Sequence, residues 1–449
     1  MKRILTCIIA VCVVAVAIAQ TLNVKTGSIT YAFASSQTGE MTYTDNGQTL
    51  TICGKSFAVT DISSMNVGQT TVADNTVSVT YSGSTASVII AGNIARYMTV
   101  TVSGADVTLV QGTDVTDEIT YTLSGSSTNG SFNMDGELKA TVVLNGLTLT
   151  SNTGAPINIA NGKRIDIIVN DGTVNTFADY AQGTQKACFF VNGHPEFNGG
   201  GTVNITGNAR HGFRSDEYTK LKKTFTGKIN IVKAASDGMH IGQYLEMNSG
   251  TVNISNVAAD GIDIEATLDA TDEQNGQALF NGGTISVTTT GEDVKAVKAD
   301  ADMIVTGGSM KLVNTGNGSK AISTKGALTI SGGKVEAIAT GGVYAEGTVN
   351  ESKANAIKAT GKLTISGGEA YAIGTSKAFN TDTGFYINGG KVMGIGSKAS
   401  ATNAGTQQAQ TYTKKSIGKG ATVTYNGVSY TVPSTYSNSS ACIIVSGGN

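Results

Sequence analysis

A short phrase returns in this chain at an interval that few folds accommodate. "DGMH" begins at Asp237 and "DGID" at Asp260, 23 residues later, with "GTVNIS" between them. Such a period is longer than a hairpin echo and shorter than a duplicated domain. It suits one turn of a solenoid, whose repeats bury their apolar faces only against their neighbours. The refrain extends well beyond these two copies. Glycine, often doubled, precedes an alternating strand in "GGTVNITG", "TGKINIVK", "SGTVNISN", "GGTISVTT", "GGSMKLVN", "GGKVEAIA", "GGEAYAIG" and "GGKVMGIG".

A second strand pattern accompanies each glycine strand, and aligning these segments on their small second residue gives three columns. The first is Lys186, His211, Asp237, Asp260, Lys295, Lys320, Asn355 and Lys377. The next is Ala187, Gly212, Gly238, Gly261, Ala296, Ala321, Ala356 and Ala378. The third is Cys188, Phe213, Met239, Ile262, Val297, Ile322, Ile357 and Phe379. The first column advances by 25, 26, 23, 35, 25, 35 and 22 residues, so a coil takes 22 to 26 and two coils carry extra loop, near "TLDATDEQNGQ" and "GGVYAEGTVNESK". The spacing predicts an all-β, right-handed parallel β-helix over 116–420. The small column is expected at a tight stacked corner, and the apolar column is expected inside.

Composition agrees. The chain has 57 glycines, 3 prolines, no tryptophan and only 14% charged residues among 449, against about 25% in an average soluble chain. Gln20 to about Val115 alternates at period two without the refrain and is read as a small N-terminal β module over 20–115. Residues 421–449 resemble closing strands that cover an open edge. The first 19 residues, two of them basic and then an apolar run ending in "AIA", predict a signal peptide cleaved near Ala19, and hence a secreted or cell-surface protein. Neither Cys7 nor Cys12 within that run follows the small residues of a lipoprotein signal. No segment is apolar for long enough to span a membrane. Cys53, Cys188 and Cys442 are too few and too scattered for a disulfide framework. The formal net charge of −2, with no basic run, excludes a nucleic-acid footprint.

Coils stack about 4.8 Å apart, so columns become vertical rows of side chains. Asp237 and Asp260 then adjoin, His240 stacks with Asp263, and Glu265 projects from the same strand. Asp216 and Glu217 lie one turn below, and Asp293, Asp300 and Asp302 one turn above. Two carboxylates at that spacing repel by roughly 3.5 kcal/mol at an effective dielectric near 20. A shared cation relieves this, and calcium takes several hard oxygens. Salt-bridge ladders do the same without metal, because Lys295 stacks on Asp260 and Lys298 on Asp263. His211 and His240 raise zinc, but no further Cys or His spacing accompanies them, and the plainer reading makes them surface members of the ladder.

The run "YTLSGSSTNGSF", "LNGLTLTS", "HGFRSDE", "SDGMHIG" and "ADGIDIE" resembles secreted bacterial calcium-binding β-helix proteins of the carbohydrate-binding, pectate-lyase-like family. The resemblance covers roughly Ile119 to Ile304 well and the later coils loosely. It implies Asp216, Asp237, Asp260 and Asp263 as metal-facing acids, to which the stacked columns add Glu265 and Asp293 as candidate metal ligands, and it implies an association with cellulose or acidic plant polysaccharide such as polygalacturonate. "EDVKAVKAD" departs from the pattern by replacing a further acid-glycine phrase. Two functions follow. In a non-catalytic, calcium-dependent binding protein, Arg214, His240, Lys295 and Lys298 contact the glycan. In a polysaccharide lyase, Lys295 or Lys298 takes the proton alpha to a uronate carboxyl. A third reading is a structural or adhesin-like solenoid with no glycan ligand.

Overall fold

The computed structural model describes residues 20–38, 41–69, 71–346 and 350–447; the expected leader, with Cys7 and Cys12, lies outside them. The chain divides into two units, Met1–Thr76 with Ile89–Arg96, and Val77–Val88 with Tyr97–Asn449. In the first, strand Thr21–Thr26 runs antiparallel between Ile29–Ala34 and Ser64–Gly68. A meander of Thr42–Thr44, Thr49–Ile52 and Lys55–Ala58 accompanies it. Its core is aromatic: the Phe57 ring stands edge-on to Tyr31 at 5.0 Å and to Phe33 at 6.3 Å.

The second unit is a parallel β-solenoid with three strands per coil. One coil comprises His211–Ser215, Thr219–Phe225 and Lys228–Ala234. The next repeats it with Met239–Gly242, Leu245–Met247 and Thr251–Ile254. Each strand pairs in parallel with its counterpart one coil on. The stack begins with Ala105–Gln111, which already pairs in parallel with Gly130–Asp135. It ends where Phe385–Gly396 meets Asn438–Ser446 running antiparallel. That last strand, with Gln410–Ile417 and the hairpin of Thr422–Tyr425 and Val428–Thr431, closes over Tyr371, Met393 and Ile395. The second of the two extra loops contains an antiparallel hairpin of Val343–Glu346 and Asn350–Lys353.

The apolar column points inward: Ile262, Val297, Ile322 and Ile357 are fully buried, each stabilising the coil by about 1.5–3 kcal/mol. The small column is buried beside it, and its size limit is steric. A Cβ on Gly261 would come within 2.4 Å of Val287 Cγ1, and one on Gly238 within 2.6 Å of Ile254 Cγ2. The first coil corrects the alignment read from sequence. Ala187 pairs with His211 and Phe189 with Phe213, so Cys188 shares the level of Gly212, one residue from where the small-residue rule placed it. The cause is size. A thiol fits the small column, while the Phe189 ring fills the interior edge-on between Phe177 at 5.6 Å and Phe213 at 5.7 Å.

The doubled glycines have two separate duties. At Gly283 φ is +82°, the left-handed region that glycine enters without steric cost. A Cβ on Gly282 would stand 2.4 Å from the Asn248 carbonyl oxygen of the preceding coil. One glycine turns the chain and the other lets neighbouring coils touch.

Candidate functional site

The strands His211–Ser215, Met239–Gly242, Ile262–Glu265 and Lys295–Ala299 lie side by side in one sheet. Two outward rows cross them. Arg214, His240, Asp263 and Lys298 are successive partners in one row; His211, Asp237, Asp260 and Lys295 form the other at the strand entries. The entry acids have a structural task. Asp237 Oδ1 accepts the backbone N–H of Asp260 at 2.9 Å, and Asp260 Oδ1 accepts that of Lys295 at 2.7 Å. Asn355 repeats the contact with Lys377 N at 3.1 Å. Each side chain thus caps the strand of the next coil.

Charge accumulates where the rows converge. Asp237, Asp260 and Asp263 bring carboxylate oxygens within 4.8 Å of one another, and Asp237 and Asp263 are buried. Burial, together with the neighbouring acids, pushes the Asp260 carboxyl up to about 6, although the Lys295 backbone and charge oppose it. Burial likewise raises Asp263, against the pull of Lys298, whose Nζ lies 2.9 Å from Oδ1. Asp237 goes the other way: burial alone would raise it, but the His211 and His240 imidazoles beside it hold it below the usual carboxylate range. His211 Nδ1 and His240 Nδ1 both stand 3.1 Å from Asp237 Oδ2. These histidines, read from sequence as surface residues, are 2% and 7% exposed. The sheet packs their rings face to face, centroids 4.5 Å apart.

Other predicted residues are placed at varying distances from this centre. Glu265 joins its edge, with Oε2 3.3 Å from His240 Nε2. Asp216 is held between Lys186 at 2.5 Å and Arg214 Nε at 2.6 Å; burial raises it, but these cations hold it below its ordinary value. Asp293 accepts from Ser352 at 2.5 Å and faces Lys320 at 3.1 Å and Lys295 at 3.3 Å. Both acids are thus committed to cations of their own. Three oxygens from Asp237, Asp260 and Asp263 are a hard donor set that suits calcium. Their partly relieved mutual repulsion is the property a bound dication would remove.

Sequence reasoning passed over a second polar face. Tyr218 stacks on Tyr244, centroids 4.8 Å apart and 17° between planes, and on His194 at 4.5 Å. Lys222 bridges Asp166 and Glu196, both at 2.6 Å. The 26-residue step from Tyr218 to Tyr244 carries the coil period and was the available signal. Rings stacked along a solenoid hide their faces against one another, so this ladder offers edges rather than a flat sugar platform.

No helix among the described residues is long and apolar enough to cross a membrane. No curated protein matches the chain. A solved structure, the gadolinium derivative of a polysaccharide lyase-like protein from C. thermocellum, is similar at 21% identity over 56% of this chain and 96% of the other, with a TM-score of 0.45. A family model described as carbohydrate-binding domain-containing protein matches residues 103–401. That span includes the acidic and histidine rows just described, and it places the chain in the family of carbohydrate-binding domain-containing proteins.

Proposed function

We propose that the protein is a secreted, non-catalytic, calcium-dependent binder of acidic plant polysaccharide, polygalacturonate being the best-fitting example, on a right-handed parallel β-helix. The observation that carries this reading is the convergence of Asp237, Asp260 and Asp263 within 4.8 Å in a largely buried setting. Calcium held by these acids would supply the positive charge they lack and attract a sugar carboxylate. Arg214 and Lys298, each one coil beyond the His240–Asp263 pair in the same row, add cationic anchors along the direction of the coils. An anionic glycan suits this face better than a crystalline neutral one such as cellulose, because the chain has no tryptophan and Tyr218 and Tyr244 hide their faces against each other.

The lyase alternative asks Lys298 or Lys295 to accept a proton. Burial works to lower Lys298, but the Asp263 carboxylate more than offsets it and holds the ammonium above its usual value. A base is thereby made weaker in availability, which favours binding over elimination.

The test is retention on polygalacturonate with calcium and with chelator, followed by ultraviolet absorbance for unsaturated product. Calcium-dependent retention without product is expected. Asp263→Asn is expected to weaken retention by tenfold or more at an unchanged circular dichroism spectrum. Equal retention in chelator, by wild type and variant alike, would sink the calcium bridge; product formation would restore the lyase.

A further inference from the structure

His211 and His240 sit in the solenoid wall with a chemistry that calcium does not use. Calcium is a hard cation that selects oxygen, whereas two imidazole nitrogens and a carboxylate suit a borderline dication. A ring nitrogen of His211, one of His240 and an Asp237 oxygen lie mutually within 4.8 Å, all three residues being buried. The two nitrogens face the same oxygen, Oδ2, at 3.1 Å each. For ligands 2.0–2.1 Å from a tetrahedral centre, the separation between neighbouring donor atoms is about 3.3 Å, which the two nitrogen–oxygen separations already approach.

Two further observations point to a ligand. His211 is 2% exposed, yet its Nδ1 makes no hydrogen bond: the contact with Asp237 has the length of one without the alignment. A buried polar atom left unmatched is uncommon in a folded protein. A fourth donor is also at hand, since Asp263 Oδ2 lies 3.7 Å from His240 Nδ1. Asp237 Oδ1 is meanwhile fixed by the Asp260 N–H, which sets the carboxylate's orientation as outer partners of metal ligands do.

We propose that His211, His240 and Asp237, with Asp263 as fourth donor, form a binding site for a borderline transition-metal dication such as zinc, on the imidazole side of Asp237 and chemically distinct from the oxygen side that faces Asp260. Because Asp237 and Asp263 are common to both sides, zinc and calcium are expected to compete. The site would let the glycan-binding face respond to which metal is present.

The experiment titrates chelator-stripped full-length protein with zinc by calorimetry, and with cobalt(II) by visible absorbance as a geometric probe. One zinc per chain is expected, with cobalt bands of tetrahedral intensity. His211→Gln and His240→Gln should each weaken zinc at least tenfold and abolish the cobalt bands, and His211→Gln should leave calcium binding in place. Asp260→Asn should impair calcium and spare zinc, so the two readings can fail separately. His194→Gln controls for the partly exposed His194–Glu217 pair and should change nothing. Circular dichroism melts confirm that each variant folds. Absence of zinc binding in wild type, retention by both buried-histidine variants, or loss in His194→Gln alone would each overturn the proposal.

Discussion

Asp260 has two relations to its surroundings that pull in opposite directions. Its Oδ1 caps the Lys295 backbone N–H, while its charge is disfavoured by burial and by Asp237 and Asp263. Asparagine preserves the acceptor and removes the charge. In chelator, Asp260→Asn is therefore expected to melt above wild type, by an amount on the order of 1–3 kcal/mol for a carboxyl raised by about two pKa units. In calcium the order should reverse, because the variant forfeits a ligand. A lower melt for the variant in both conditions would show that Lys298 and Lys295 already neutralise the acids. The recurrence of "DG" is thus chiefly an answer of geometry: Asp caps the next strand, and glycine fits where a Cβ would strike Ile254 or Val287. Calcium binding uses what this arrangement leaves over.

At the level of strands and sheets, the period and the inward columns were legible because a buried, stacked interior tolerates little variation in size or polarity. What escaped was set by contacts that no period records. The level of Cys188 depended on the Phe189 ring filling the interior, and the burial of His211 and His240 depended on their packing face to face and against Asp237. The commitment of Asp216 to Lys186 and Arg214 could not be read from an acid's column alone. The same holds for the Glu196–Lys222–Asp166 network, assembled from three successive parts of one sheet. Burial would raise Glu196, but Lys222 and the Tyr218 hydroxyl hold it below its ordinary value. A depressed carboxyl contributes stability above the unfolded value, about pH 4.3 for Glu, and loses it as pH falls through the folded value. Glu196→Gln should accordingly cost about 1 kcal/mol at neutral pH, a deficit that shrinks on acidification below about pH 4.3. A deficit constant across that range in paired melts would remove the charge from the explanation.

In the solenoid unit as a whole, each coil contacts chiefly the coils beside it, so stability is close to a sum of local terms. A metal at Asp237, Asp260 and Asp263 is then expected to act regionally. The strands that carry or adjoin it are His211–Ser215, Met239–Gly242, Ile262–Glu265 and Lys295–Ala299. Strands Leu363–Gly374 and Phe385–Gly396 lie several coils away and are tied instead to the closing C-terminal segment. Ligand that binds only the native state adds RT ln(1 + [L]/Kd), about 2.7 kcal/mol at a hundredfold excess over Kd. If openings are local, amides in the four site strands should exchange about a hundredfold more slowly in calcium than in chelator. Those in the last two strands should be unchanged. Amide exchange read by mass spectrometry on peptides from each coil measures both at once. Uniform protection along the unit would mean that the coils open together and that the nearest-neighbour account fails. No change in any coil would count against calcium at the three acids, while leaving the carbohydrate-binding family assignment, which rests on residues 103–401, untouched.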